Sequence, residues 1–231
     1  MTSNADAGTG TLRQAITDAN GDVTSPRAIA FNIPGSGPQT ITLNAALPEI
    51  ARTMTVDGTT QTGYSGMPLI VIDGNFIDAD GLVVNSFFTG SGLGPVIKGL
   101  CIINFGSNGG VPRNGLVLRD GDIITVVGCF IGLNSAGTAA ARNTGAGVRV
   151  ENFPYTIGGT NLTDRNVISG NLGSGIETVS FQTTVLGNFI GTSADGMNAV
   201  PNGGDGILTN TGGNHAIGGT AAGAGNVISG K

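Results

Sequence analysis

Tryptophan is absent from this chain, and histidine (one), cysteine (two) and tyrosine (two) are nearly so. Two cysteines, Cys101 and Cys129, are too few for a disulfide framework and lack metal-ligand spacing, so both read as buried or half-buried thiols. With Tyr64, Tyr155 and nine Phe, most of the Phe expected inside, the surface is poor in the aromatic platforms on which sugars stack. Only ten residues are Lys or Arg, against fifteen Asp or Glu, and they are scattered. That balance excludes the basic stripe expected of a nucleic-acid binder. No apolar run approaches the ~18 residues of a membrane-spanning helix, so no membrane insertion is expected. No signal peptide is visible, because Met1-Thr2-Ser3-Asn4 leads directly into polar sequence. A start methionine on a mature secreted segment would look like this, and so would a cytosolic protein.

What the chain has instead is glycine, 42 in 231 residues, far above the usual ~7%. Disorder goes with low hydrophobicity and high net charge. Here 39% of residues are hydrophobic and the net charge is only −5, so glycine marks a folded backbone that turns often. The turns recur. Gly128-Cys129-Phe130-Ile131-Gly132 returns as Gly187-Asn188-Phe189-Ile190-Gly191, Ile157-Gly158-Gly159-Thr160 as Ile217-Gly218-Gly219-Thr220, and Asn166-Val167-Ile168-Ser169-Gly170 as Asn226-Val227-Ile228-Ser229-Gly230, at offsets of 59, 60 and 60. A fixed period of short β-branched runs punctuated by Gly and Asn is the signature of a β-solenoid.

Each unit of about 60 residues holds two coils. Gly81, Gly115, Gly147, Gly175 and Gly206 each precede an alternating run, at intervals of 34, 32, 28 and 31 residues. A second landmark, an aliphatic residue two positions before a Gly, recurs as Ile97/Gly99, Val126/Gly128, Ile157/Gly159, Val185/Gly187 and Ile217/Gly219, with Ile72/Gly74 assigned one coil earlier. Stacking at the ~4.8 Å strand spacing would set these aliphatics in one inward file and the glycines in another. A third file is expected to hold Leu100, Cys129, Thr160, Asn188 and Thr220, where Asn and Thr can bond to like neighbours above and below. Ala28–Arg52 and Thr53–Asp80 supply earlier coils. The fold class is therefore all-β, a right-handed parallel β-helix of roughly seven coils, a rod on the order of 35 Å long.

Residues 1–27 read as a cap region and 28–231 as the coils of one domain. In Thr11–Asn20, Leu12, Ala15, Ile16 and Ala19 fall at helical spacing, predicting a short helix over the N-terminal end of the core. Gly35-Ser36-Gly37-Pro38 marks a turn between strands near Ala28–Ile33 and Thr40–Leu43. Asn134–Arg142 and Thr192–Pro201 lengthen their coils without adding core periodicity and are expected to protrude as loops on one face. Ile228-Ser229-Gly230-Lys231 carries no cap signal. Either a longer array continues there, or another molecule closes that end, which makes end-to-end stacking of copies an expectation.

The run Asn4-Ala5-Asp6-Ala7-Gly8-Thr9-Gly10-Thr11-Leu12-Arg13-Gln14-Ala15-Ile16 resembles the N-terminal motif of large bacterial surface and secreted proteins named after a CSLREA signature. Only the end of that signature is present, at Thr11–Ala15. Leu47-Pro48-Glu49-Ile50, Val56-Asp57-Gly58-Thr59-Thr60-Gln61 and Asn166–Asn171 are similar to the β-helix repeats that follow it. The resemblance implies a pectate-lyase-like solenoid, exported and extracellular or at the cell surface. It implies little about activity, because the fold hosts enzymes and passive fibres alike.

The chemistry the sequence offers is sparse. Along the strand after each Gly, the second outward position carries Val83, Val117, Arg149, Glu177 and Leu208, and the fourth Asn85, Arg119, Glu151, Val179 and Asn210. Arg149 with Glu177, and Arg119 with Glu151, become rung neighbours. These are opposite charges that fix register, whereas a glycosidase pair is two acids ~5–9.5 Å apart. Asp57 and Asp73 precede Gly as turn residues do. Asp78 with Asp80, and Asp120 with Asp122, can each contribute to a calcium site, yet an EF-hand-like loop needs more oxygens and a distal Glu; solvated turns are the expectation. His215 stands without a nucleophile-elbow serine. Gly218–Gly223 lacks the Lys and following helix of a phosphate loop. No catalytic, cofactor-binding or metal residue is singled out. The reading is a non-catalytic extracellular solenoid, structural, adhesive or fibre-forming, partnered by itself or by surface glycans or proteins. The alternative is a polysaccharide-active lyase or hydrolase with its site on an outer face or in the loops at Asn134–Arg142 and Thr192–Pro201.

Overall fold

The computed structural model describes residues 1–22, 27–86, 94–107, 109–121, 123–152 and 155–229. The chain winds as a parallel β-solenoid with three sheets running along the rod. The first stacks Arg27–Ala30, Met54–Asp57, Val96–Lys98, Thr125–Val127, Thr156–Gly158, Thr184–Leu186 and Ala216–Ile217. The second stacks Gln39–Thr42, Ile70–Asp73, Leu100–Ile103, Phe130–Ile131, Val167–Ile168, Phe189–Ile190 and Val227–Ile228. The third stacks Leu82–Asn85, Leu116–Asp120, Val148–Glu151, Ile176–Val179 and Ile207–Thr209, with Ile50 bridging to Val84 in the coil before. That makes six complete turns and two strands of a seventh.

Strand alternation explains the core. In the first sheet Ile29, Val56, Ile97, Val126, Ile157 and Val185 form one inward file in register, all buried. Ile41, Ile72, Ile102, Ile131, Ile168 and Ile190 form the matching file of the second sheet. Branched side chains suit this stacking because their stiff rotamers pack on the pleat. Each fully buried Val or Ile contributes ~1.5–3 kcal/mol. Ile72/Gly74, expected in the first file, does not belong to it. Thr53–Asp80 carries that landmark twice, and it is Val56/Gly58 that pairs below Ile97, while Ile72 lies on the second sheet.

The third file also differs from expectation. Leu100, Cys129 and Asn188 occupy it, but Asn166 and Asn226 stand where Thr160 and Thr220 were predicted. After the turn at Gly158-Gly159 the chain makes an extra excursion, including a 3-10 turn at Leu162–Asp164, before re-entering the second sheet at Val167. The residue that enters the stack is thus Asn166. The Cys129 N–H donates to Asn166 Oδ1 (2.9 Å), the Asn166 N–H to Asn188 Oδ1 (3.2 Å), and the Asn188 N–H to Asn226 Oδ1 (2.9 Å). A second ladder, Asn143–Asn171–Asn202, runs along the other edge of the same sheet.

At the N-terminal end the helix Leu12–Gly21 buries Leu12, Ile16 and Ala19 on the first coil. Thr11 caps it, its Oγ1 accepting from the Gln14 N–H. Arg13 donates to the Ala45 and Ala46 carbonyls, and Asn20 exchanges hydrogen bonds with Glu49 O and the Ala51 N–H. The lid is thereby riveted to the loop before the third sheet. At the opposite end Ile217, Val227 and Ile228 are exposed; Gly230 and Lys231 lie outside the described residues.

Candidate functional site

The outward face of the third sheet gathers the charges. Glu49, Arg119, Glu151, Arg149 and Glu177 alternate in sign along the rod, linked by contacts of 3.2, 3.0, 2.7 and 3.1 Å. Asn85 and Asn210 close the two ends, donating to Glu49 and Glu177 at 2.8 Å each. The pairing of Arg149 with Glu177 is the expected rung contact. Glu49 was not expected, because it precedes the sheet, and Asn85 faces Asp120 rather than Arg119, because a bulge shifts the register after Val84. Burial works to raise the Glu151 pKa, but hydrogen bonds from Arg149 and Arg119 outweigh it and hold the carboxyl below its ordinary value. A carboxyl held down in this way stays ionised and is a poor general acid. Exposed pairs of this kind contribute ~0.2–1 kcal/mol each and fix register.

The other acids are engaged locally. Asp57 caps the 3-10 turn at Gly58–Thr60, and Asp73 accepts from the Asn75 N–H and Asn104 Nδ2. Asp78 pairs with Arg113, Asp80 with Asn114, and Asp120 with Asn152; Asp122 lies outside the described residues. Among the described residues no three of His, Cys, Asp and Glu gather as a metal cluster. His215 Nδ1 accepts from the Thr183 N–H at 3.2 Å, which places the imidazole against backbone and not against a Ser–Asp pair. Cys101 and Cys129 are free and buried, and burial pushes the Cys129 thiol up to about 12, where it holds almost no thiolate at neutral pH.

The two expected loops do not protrude. Each closes as a small hairpin, bridged at Leu133–Ala140 and Thr192–Ala199, and folds back over the second sheet. The Ala194 N–H donates to Gly137 O at 2.8 Å, so the hairpins touch although they leave the second sheet two coils apart. Beneath them Val71, Cys101, Ile103, Phe130, Leu133, Val167 and Val200 form a second apolar cluster outside the solenoid core. That is why the strand Leu100–Ile103 is buried on both faces.

Beside the hairpins lies a groove of about 360 Å³. Phe130 and Val167 are in its lining, with Met67 and Leu162 as exposed lips and Arg165 and Asp195 as its charged groups. Arg165 is fixed in place: its guanidinium lies 4.1 Å from the centroid of the Phe189 ring, and Nε donates to Gly187 O at 3.0 Å. Asp195 Oδ1 accepts from Ser193 Oγ and from the Met197 N–H at 2.9 Å, and these bonds lower its pKa. One carboxylate and one guanidinium thus face this groove. Neither a protein-family model nor a curated protein sequence matches this chain. The sequence pointed to the hairpins but not to Met67, Leu162 or Arg165. These come from excursions in other coils and carry no repeating signal.

Proposed function

We propose that this chain is a non-catalytic structural solenoid, a stiff rod serving as a surface or adhesive module outside the cell. The observation that carries this reading is the charge ladder of the third sheet. It commits Glu49, Glu151 and Glu177 to arginines, so the outward columns hold no pair of free acids. The enzyme alternative needed such a pair, and among the described residues that line the groove Asp195 is the one acid. The similarity of Asn4–Ile16 and of the Gly/Asn repeats to CSLREA-type surface proteins supports an exported location. Incubation with a broad panel of polysaccharides and esters is expected to release no product. Reproducible release above a heat-killed control would overturn the reading.

Self-association is part of this proposal, and the covered N-terminal end favours contact through the other end. The helix Leu12–Gly21 closes one end of the core, while Ile217, Val227 and Ile228 are exposed at the other. Head-to-tail growth of this 231-residue segment would have to displace the helix, so copies of the segment would meet through these exposed edge strands, antiparallel across a two-fold axis. Light scattering behind a sizing column should show a monomer passing to a dimer with concentration. A ladder of larger species would contradict it, and Ile217→Lys should hold the chain monomeric.

A further inference from the structure

We propose that the groove beside the stacked hairpins binds a short peptide segment bearing a carboxylate next to an apolar side chain, anchored by Arg165. The inference goes beyond the structural role and stands whether or not copies associate.

The first support is the state of Arg165. Arg13, Arg27, Lys98, Arg113, Arg119 and Arg149 all face carboxylates. Arg165, like Arg52 and Arg142, faces none among the described residues, but it is half-buried and held by the Phe189 ring and Gly187 O. Its Nη groups make no hydrogen bond there. A guanidinium already fixed against a ring loses little further freedom on binding, and its planar fork matches a carboxylate bidentately.

The second support is Asp195 in the same groove. Its Oδ1 is taken by Ser193 and Met197, and Oδ2 remains to accept an N–H from a ligand. A negative group so near disfavours a dianionic phosphate more than a single carboxylate. A ligand with one carboxylate and amide N–H groups satisfies both charges, and a peptide has both.

The lips separate peptide from sugar. Met67 and Leu162 are 42% and 76% exposed, and both are aliphatic in shape. A sugar ring seeks an aromatic face, whereas an apolar peptide side chain fits between a thioether and a leucine, the thioether adapting to its shape. The volume of about 360 Å³ lies at the small end of ligand sites, ~300–1,000 Å³, enough for a few side chains.

The test is fluorescence anisotropy at low salt with a dye-labelled, end-blocked peptide alternating Leu and Asp, its Leu/Asn counterpart, and labelled trigalacturonate. The Asp peptide should bind about tenfold or more tightly than the Asn peptide, the ratio expected for a charge-assisted hydrogen bond. Arg165→Gln should abolish that preference and Arg165→Lys restore part of it. Because Arg165 also packs on Phe189, Leu162→Asp on the open lip provides a variant that leaves the fold intact and should still weaken the Asp peptide. Equal binding of the two peptides, no binding of either, an unchanged preference in Arg165→Gln, or trigalacturonate binding in place of the peptide would each overturn the proposal.

Discussion

Gly187→Ala is expected to destabilise the rod by about 3–5 kcal/mol, from left-handed backbone strain plus overpacking. Gly187 has φ +68°, and a Cβ there would sit 2.2 Å from Gly159 O and 2.7 Å from Gly223 O. Both obstacles are backbone carbonyls of neighbouring coils, so neither swings aside as a flexible side chain would. Relief would require the fifth, sixth and seventh coils to part, and the Gly187 N–H, which donates to Ala224 O at 3.1 Å, would move with them. Gly213 is the control, with ordinary φ and nothing within 4 Å of its would-be Cβ. Gly213→Ala should be neutral or stabilising by up to ~1 kcal/mol. Urea melts of both variants decide the matter, and equal midpoints would refute the packing argument. Stability in stacked repeats is a sum of neighbour interfaces. The loss should therefore appear first as faster hydrogen exchange in the strands around Gly187, at Thr184–Leu186 and Ala216–Ile217.

The architecture was legible because a solenoid writes its geometry as periodicity. A residue that must turn without a side chain, as at Gly187, and one that must fill the same hole in every coil, as at Val126, Ile157 and Val185, repeat at the coil length. The helix Leu12–Gly21 was legible for the same reason at its own period of 3.6. What failed was phase within a coil. Val56 and Ile72 satisfy the same local pattern, and only pairing across coils decides which lies under Ile97. The excursion at Thr160–Arg165 likewise hides the step from Cys129 to Asn166, because a loop of any length can precede a strand without altering the pattern inside it.

The candidate site was half legible. Arg119, Glu151, Arg149 and Glu177 could be set in columns from spacing alone, since each sits a fixed distance from a file glycine. Glu49 joins them from a segment that forms only an isolated bridge, and nothing in its neighbourhood repeats. The groove was not legible. Its members Met67, Leu162, Arg165 and Asp195 come from excursions of three coils, each unique in sequence. Only the backward fold of the hairpins brings them together, driven by the apolar cluster around Phe130 and Val167.

Asn171→Ala should cost about 2–4 kcal/mol, a loss of the same order as that at Gly187 but from a different cause. Asn171 is fully buried. Its Oδ1 accepts from Asn143 Nδ2 at 2.9 Å, while its Nδ2 donates to Asn202 Oδ1 at 3.0 Å and to Ile131 O at 3.1 Å. Truncation removes these bonds and a weaker one from Nδ2 to Ser169 O at 3.5 Å, and each buried group left short of a partner costs ~1–3 kcal/mol. The effect stays below the sum of those penalties because several partners keep a second bond. Asn202 Oδ1 still accepts the Asn171 N–H, and Ile131 O still accepts the Ser169 N–H. Asn171→Leu tests whether the loss is polar or volumetric: refilling the space with apolar atoms leaves the same groups unpaired, so it should recover little. The exposed Asn210, whose side chain donates to Glu177 at the end of the charge ladder, should tolerate Ala within ~0.5 kcal/mol. Asn143→Ala combined with Asn171→Ala should cost less than the two separately, since they share a bond. Additive losses in that cycle, or equal effects at Asn171 and Asn210, would mean that the ladder is an ornament of the stack and that the aliphatic files alone hold the coils in register.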